Sequence, residues 1–209
     1  MNGPDDVNVE IDASSDEGTL AAGAIPLLGI AAWSGTGKTT LLEALLPRLR
    51  ERGWPAAVIK HAHHEFDIDQ PGKDSHRLRE AGAAPMVVAS GRRFALMMET
   101  PGQPEPDLPL LVAQVSALNP ALILVEGFKT WPIPKLELHR GDHDQPLLAE
   151  HDSWVEAVAC KLEEVPAETL ARLPAKVARL ELDDLESILD WVVAWAARQR
   201  LGRIRKPLL

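Results

Sequence analysis

Lys38 stands between Gly37 and two hydroxyl residues, Thr39 and Thr40, at the end of the run AWSGTGKTT (32–40). A lysine that follows a glycine-rich turn and precedes a hydroxyl can hold a phosphate chain. Gly35 and Gly37 let the backbone approach an anion and turn successive N–H groups towards it. Lys38 brings a compact positive charge to the β- and γ-phosphates, and the Thr39 hydroxyl suits Mg2+, a hard cation that prefers oxygen. The candidate phosphate-binding residues are therefore Ser34, Gly35, Thr36, Gly37, Lys38, Thr39 and Thr40. The general P-loop pattern has glycine at its first position; here Ala32 stands there, still small enough for a tight turn.

Two further clusters carry chemistry. ALILVEGF (121–128) is an apolar run ending in Glu126 and Gly127. A carboxylate at such a strand end can hold a metal-bound water or orient an attacking one, and the Gly127 N–H can face a γ-phosphate. KHAHHEFDIDQPGKDS (60–75) gathers His61, His63, His64, Asp67 and Asp69. Imidazole and carboxylate are zinc ligands, but the metalloprotease helix pattern is absent, because Ile68 stands four positions after His64. A switch loop that senses phosphate or metal accounts for the aspartates, Gly72 and Lys73. A transition-metal site and a solvated loop are its alternatives.

These residues need a scaffold. IPLLGIAA (25–32) reads as a buried strand and Lys38 to Arg52 as a helix ended by Gly53, with Leu41, Leu42, Leu45, Leu46 and Leu49 on one face. Pro47 inside it is expected to kink it. Further strands are expected at 56–62, 121–127, 135–140 and 154–161 and in KVARLEL, with a helix over Asp74–Gly82 capped by Asp74. PMVVAS and RFALMME form a hairpin across Gly91 and Arg92, and the prolines of 101–109 demand a loop. Asp107 caps a helix to Leu118, and Asp184 to Arg200 is the last helix. Strands alternating with helices predict a single α/β domain of the P-loop NTPase class. Its sheet is mostly parallel, flanked by helices, with some antiparallel strands.

The totals narrow the setting. The chain has 209 residues and a net charge of -9. Residues 1–24 hold six acidic side chains (Asp5, Asp6, Glu10, Asp12, Asp16, Glu17) and no basic ones, leaving -9 + 6 = -3 elsewhere. That balance argues against a general nucleic-acid surface. The stretch 1–24 reads as a disordered acidic arm, 25–201 as the nucleotide-binding domain and 202–209 as a basic tail. The arm lacks the features of a secretory signal. No apolar run approaches the ~18–20 residues that span a bilayer. Cys160 is the only cysteine, which excludes an intrachain disulfide and fits a reducing cytoplasm.

The markers AAWSGTGKTTLL (31–42), IKHAHHEFDIDQPGKDSHRLREAGA (59–83) and LILVEGFK (122–129) together resemble the molybdopterin-guanine dinucleotide biosynthesis protein B family. The resemblance covers roughly Ile25 to Arg140 well and the rest more loosely. It implies a homodimeric GTP- and Mg2+-binding accessory protein with slow GTPase activity. Such a protein acts beside the molybdopterin guanylyltransferase and the molybdenum cofactor, in forming or delivering the dinucleotide. Lys38, Thr39, Asp69 and Glu126 match the family's positions for phosphate and magnesium handling. Trp33 stands where related dimeric ATPases carry an extra P-loop lysine. No Asn-Lys-x-Asp base-reading motif occurs, so the preference for GTP is implied by the resemblance alone. No in-cis arginine finger is identifiable, which predicts slow turnover. The rival readings are a metal-insertion GTPase loading metal through His61, His63 and His64, and a P-loop small-molecule kinase or ligase.

Overall fold

The computed structural model describes residues 25–62, 66–103, 105–140 and 145–204, with side chains as far as Leu201. The acidic arm, His63, His64 and residues 205–209 lie outside the described residues. Six strands form the main sheet: β1 (Leu27–Ala32), β2 (Ala56–Lys60), β5 (Leu122–Glu126), β6 (Lys135–His139), β7 (Val155–Cys160) and β8 (Ala178–Glu181). Their order is β2-β5-β1-β6-β7-β8, and every pairing within it is parallel. The antiparallel strands form a separate hairpin of β3 (Met86–Ala89) and β4 (Phe94–Met97). The alternation in KVARLEL marks β8 as an edge strand that is nonetheless parallel to β7.

Central strands of a parallel sheet are covered on both faces, so they are apolar throughout. β1, β5 and β6 are buried along their whole length. One face carries Leu28, Ile30, Leu124, Leu136 and Leu138 against Leu42, Leu45 and Leu49 of α1 (Lys38–Glu51) and Ile188, Val192 and Trp195 of the final helix, Leu185–Ile204. The opposite face packs Leu27, Ile123 and Val125 against Leu108 and Val112 of the helix Leu108–Ser116. A third cluster, Leu147, Val155, Val158 and Val165, closes the β7 side.

The helix ends follow capping chemistry. α1 runs through Pro47 and stops at Gly53 (φ 78°). The Gly53 N–H donates to the Arg50 carbonyl at 3.0 Å and the Trp54 N–H to that of Leu49 at 2.8 Å, the paired closure of a Schellman end. Asp107 caps its helix by accepting from the Leu110 N–H at 3.0 Å. Pro109 falls inside that first turn, where the missing N–H has no partner to lose. Asp74 is the first residue of the helix Asp74–Glu80 rather than its cap; Lys73 holds the cap position without a side-chain bond. There Asp74 still faces the helix dipole favourably.

Register delivers the chemistry to one edge. Glu126 is aligned with Ile30 of β1 and Lys60 of β2, while Ala32 is aligned with Leu138 of β6. All these strands point the same way, so the P-loop, the Glu126-Gly127 end and the chain after Lys60 emerge together. Ligands of open α/β sheets sit at this carboxyl edge.

Candidate nucleotide-binding site

β1 carries the chain without exposure to Ala32, and the loop then turns on Gly35 (φ 81°) and Gly37 (φ 99°). Both angles are ones that side chains with a Cβ rarely adopt. Nothing lies within 4 Å of a Cβ placed at Gly35, so its requirement is conformational and the space above it is open. The Trp33 carbonyl closes the turn, accepting from the Thr36 hydroxyl at 2.8 Å. Lys38 curls back over the loop and donates from Nζ to the carbonyls of Trp33 (3.1 Å) and Ala32 (3.3 Å). Arg140, the first residue beyond β6, braces the turn from the other side by donating to the Thr36 carbonyl at 3.0 Å.

The end of β5 supplies the facing wall. Glu126 is 8% exposed, and Lys60 Nζ lies 3.5 Å from its Oε2. Gly127 has φ 97°, and a Cβ there would stand 2.8 Å from that of His61. Glycine is thus required twice, by the backbone angle and by the close approach of the neighbouring chain. The His61 N–H donates to the Glu126 carbonyl at 2.8 Å, continuing the β2–β5 ladder past its last residues. The His61 ring packs 5.1 Å from Phe128 and its Nε2 lies 3.5 Å from Glu105.

These walls enclose a cavity of about 670 Å³. Ser34, Gly35, Gly37, Lys38 and Thr39 line it from the P-loop; Lys60, His61, Ala62 and Phe66 from the β2 side; Glu126, Gly127 and Lys129 from β5. Three lysines therefore face one carboxylate. The Lys38 ammonium is held below the ordinary lysine range, first by burial and then by Lys129, with Lys60 adding and Glu126 opposing. An anion entering here would relieve that repulsion.

Other expected site residues stand back from the cavity. Thr36 is buried behind the loop and Thr40 faces outward on α1; neither lines it. Asp67 and Asp69 are engaged within their own loop. Asp69 accepts from Ser75 Oγ (2.8 Å) and the Gln70 N–H (2.9 Å), with Arg79 Nε at 3.5 Å. Asp67 accepts from the Asp69 N–H at 2.8 Å and from Arg79 at 2.7 Å. Both carboxyls are held below their usual range, Asp69 chiefly by the Ser75 hydroxyl and Asp67 chiefly by the Asp69 N–H. Among the described residues no group of three or more His, Cys, Asp or Glu side chains is gathered to hold a metal. His63 and His64 lie outside those residues.

Lys60, Lys129 and Arg140 are site residues that the motifs did not single out. Each lies at or just past the carboxyl end of a strand, β5 and β6 directly beside β1, and β2 one strand further out, which is the signal that could have found them. Lys161 is a surface residue paired with Glu164 (3.1 Å) and Asp183 (3.8 Å). Cys160 is fully buried, and burial raises its thiol to about 11.

Comparison with known proteins agrees with this geometry. Residues 27–161 match the family model described as molybdopterin guanine dinucleotide synthesis protein B. The molybdopterin-guanine dinucleotide biosynthesis adapter protein of Escherichia coli is 48% identical over 176 residues, covering 84% of this chain and 95% of that protein. Its namesake from Haemophilus influenzae is 42% identical, covering 82% and 89% respectively. The crystal structure of Bacillus subtilis MobB superposes with a TM-score of 0.62 at 23% identity, over 81% of this chain and 97% of that one, and so shares the fold. With a P-loop at the edge of a parallel sheet and relatives this similar over nearly their whole length, the chain belongs to the molybdopterin guanine dinucleotide synthesis protein B family.

Proposed function

We propose that this chain binds GTP with Mg2+ at the P-loop and serves as an adapter in forming or delivering molybdopterin guanine dinucleotide. The observation that carries the nucleotide part is the lysine-rich cavity built over a glycine turn open to solvent. The adapter part follows the relatives, which carry that description. Neither a metal-loading role nor a kinase role is favoured by them.

The residues present fit the ligand. The loop N–H groups and the α1 N-terminus suit phosphate oxygens, and Lys38 can exchange its carbonyl partners for them. Thr39 and Glu126 are the oxygen donors in the lining suited to magnesium. Asp69 is proposed as a further magnesium ligand, a role that requires its carboxylate to exchange Ser75, Gln70 and Arg79 for the metal. With His61 and Asp67 it makes the segment after β2 the switch loop. Bound magnesium would neutralise phosphate charge. Glu126, held beside Lys60, is the group that can orient a water; Arg140 is committed to the Thr36 carbonyl. Hydrolysis is accordingly expected to be slow.

The guanylyltransferase and molybdopterin species are the proposed partners, and a second copy of this chain the proposed subunit. The β3–β4 hairpin supports the last point. It leaves Val87, Val88, Phe94 and Leu96 at 40% exposure or more, and a two-stranded ribbon with both faces wet is marginal alone. No helix among the described residues is long and apolar enough to cross a membrane. A cytoplasmic setting suits the unpaired Cys160.

Calorimetry with GTP, ATP and GDP, with and without magnesium, tests the reading. Magnesium-dependent binding that favours GTP is expected. Substrate-stimulated ATP consumption with no guanine preference would replace it with the kinase alternative.

A further inference from the structure

Of the two cavity lysines outside the P-loop pattern, Lys60 lies beside Glu126, and Lys129 is the one whose position no acidic neighbour among the described residues explains. It follows Gly127 by two residues, leaves the end of β5, and is half-buried. Its Nζ stands 4.7 Å from the centroid of the Trp33 ring. That ring is itself fixed, because Trp33 Nε1 donates to the Pro146 carbonyl at 3.2 Å. Among the described residues no carboxylate pairs with Lys129, whereas Lys60 has Glu126 at 3.5 Å. Lys129 nevertheless sits close enough to Lys38 to be, after burial, the main reason why that ammonium is harder to keep charged.

Two ammonium groups in one half-enclosed pocket repel each other. An indole face offsets this only in part, because a cation–π contact is weaker than a charge-assisted bond to a phosphate oxygen. A flexible lysine stem can make that exchange without moving the backbone. The direction is set by the walls. Lys60, Glu126 and Lys129 lie on the β2–β5 side of the loop, while Arg140 approaches Gly37 from the β6 side. The free end of a triphosphate carries its densest charge, so it belongs on the lysine-rich side and the nucleoside on the other.

We propose that Lys129 is a phosphate-binding residue whose ammonium, here over the Trp33 ring, transfers to the terminal phosphate when a nucleoside triphosphate binds. The chain thus supplies a second cation beside Lys38, and the pocket gains a means of telling triphosphate from diphosphate. This deepens the nucleotide-binding reading and rests on it.

The test compares GTP and GDP binding to the native chain, Lys129→Ala and Lys129→Arg, by calorimetry in magnesium buffer. Loss of one charge-assisted bond is expected to weaken GTP binding by about 10- to 100-fold in Lys129→Ala and GDP binding by less than about threefold. Lys129→Arg recovers most of the GTP affinity. A change in tryptophan emission on GTP addition is expected in the native chain and its loss in Lys129→Ala. Unchanged GTP affinity, or equal losses for GTP and GDP, overturns the inference and leaves the nucleotide reading standing. Absence of any nucleotide binding by the native chain defeats both. If Lys129→Ala does not melt cooperatively, Lys129→Gln takes its place and the same outcomes decide.

Discussion

The six-stranded sheet and the β3–β4 hairpin are built from equally apolar sequence and end in opposite conditions. Leu122, Ile123, Leu124 and Val125 of β5 are each 1% exposed or less. In the hairpin, Val87 is 55% exposed and Phe94 64%. Adjacent residues of a strand face opposite sides, so the exposure of both Val87 and Val88 means that neither face of the ribbon is covered. The sheet is finished within one chain and brings the P-loop cavity to its carboxyl edge. The hairpin has the character of a surface awaiting company.

Stability should divide along the same line. Leu124→Ala opens a cavity under α1 and should cost about 3–5 kcal/mol in denaturant unfolding. Phe94→Ala in the hairpin should cost under about 1 kcal/mol within the folded monomer. Similar costs at the two sites would erase the distinction.

Glu137 sharpens it from inside the sheet. This carboxyl is fully buried on β6 and accepts from the N–H groups of Leu148 (2.7 Å) and Ala149 (2.9 Å). Burial nevertheless raises its pKa from 4.5 to about 7. The folded state therefore binds more protons than the unfolded chain between these values, and rising pH across that window favours unfolding. Relative to Glu137→Gln, the native chain should lose about 3 kcal/mol of stability as pH rises from 4.5 through 7, the loss levelling off by about pH 8. A difference that stays flat with pH would show that the two N–H donors keep the carboxylate ionised throughout. The variant also leaves one of those donors facing an amide NH2, so its stability at neutral pH need not exceed that of the native chain.

The smallest effect on folding should accompany a large one on assembly. Phe94→Ser with Leu96→Ser should change monomer unfolding by less than about 1 kcal/mol. Sedimentation should show it shifting the chain from dimer to monomer. An unchanged association state would place the subunit contact elsewhere.

What the sequence conveys follows the same division. Strand and helix placement was legible because burial on both faces forces continuous apolar runs, as in β1 and β5. The P-loop was legible because phosphate binding restricts Gly35, Gly37, Lys38 and Thr39 to few residue types. Lys60, Lys129 and Arg140 were not, because their roles come from register and from the side-by-side order of β2, β5, β1 and β6, which no local pattern encodes. Asp67 and Asp69 looked like ligands by type. Their contacts with Arg79, ten or more residues along the chain, occupy them instead.

The central claim is that the P-loop cavity binds a nucleoside triphosphate through Lys38. The most direct measurement is calorimetric titration of GTP with magnesium into the native chain and into Lys38→Ala, alongside their thermal unfolding. The native chain should bind and the variant should not, while both unfold cooperatively at similar temperatures. Undiminished affinity in Lys38→Ala would contradict the account.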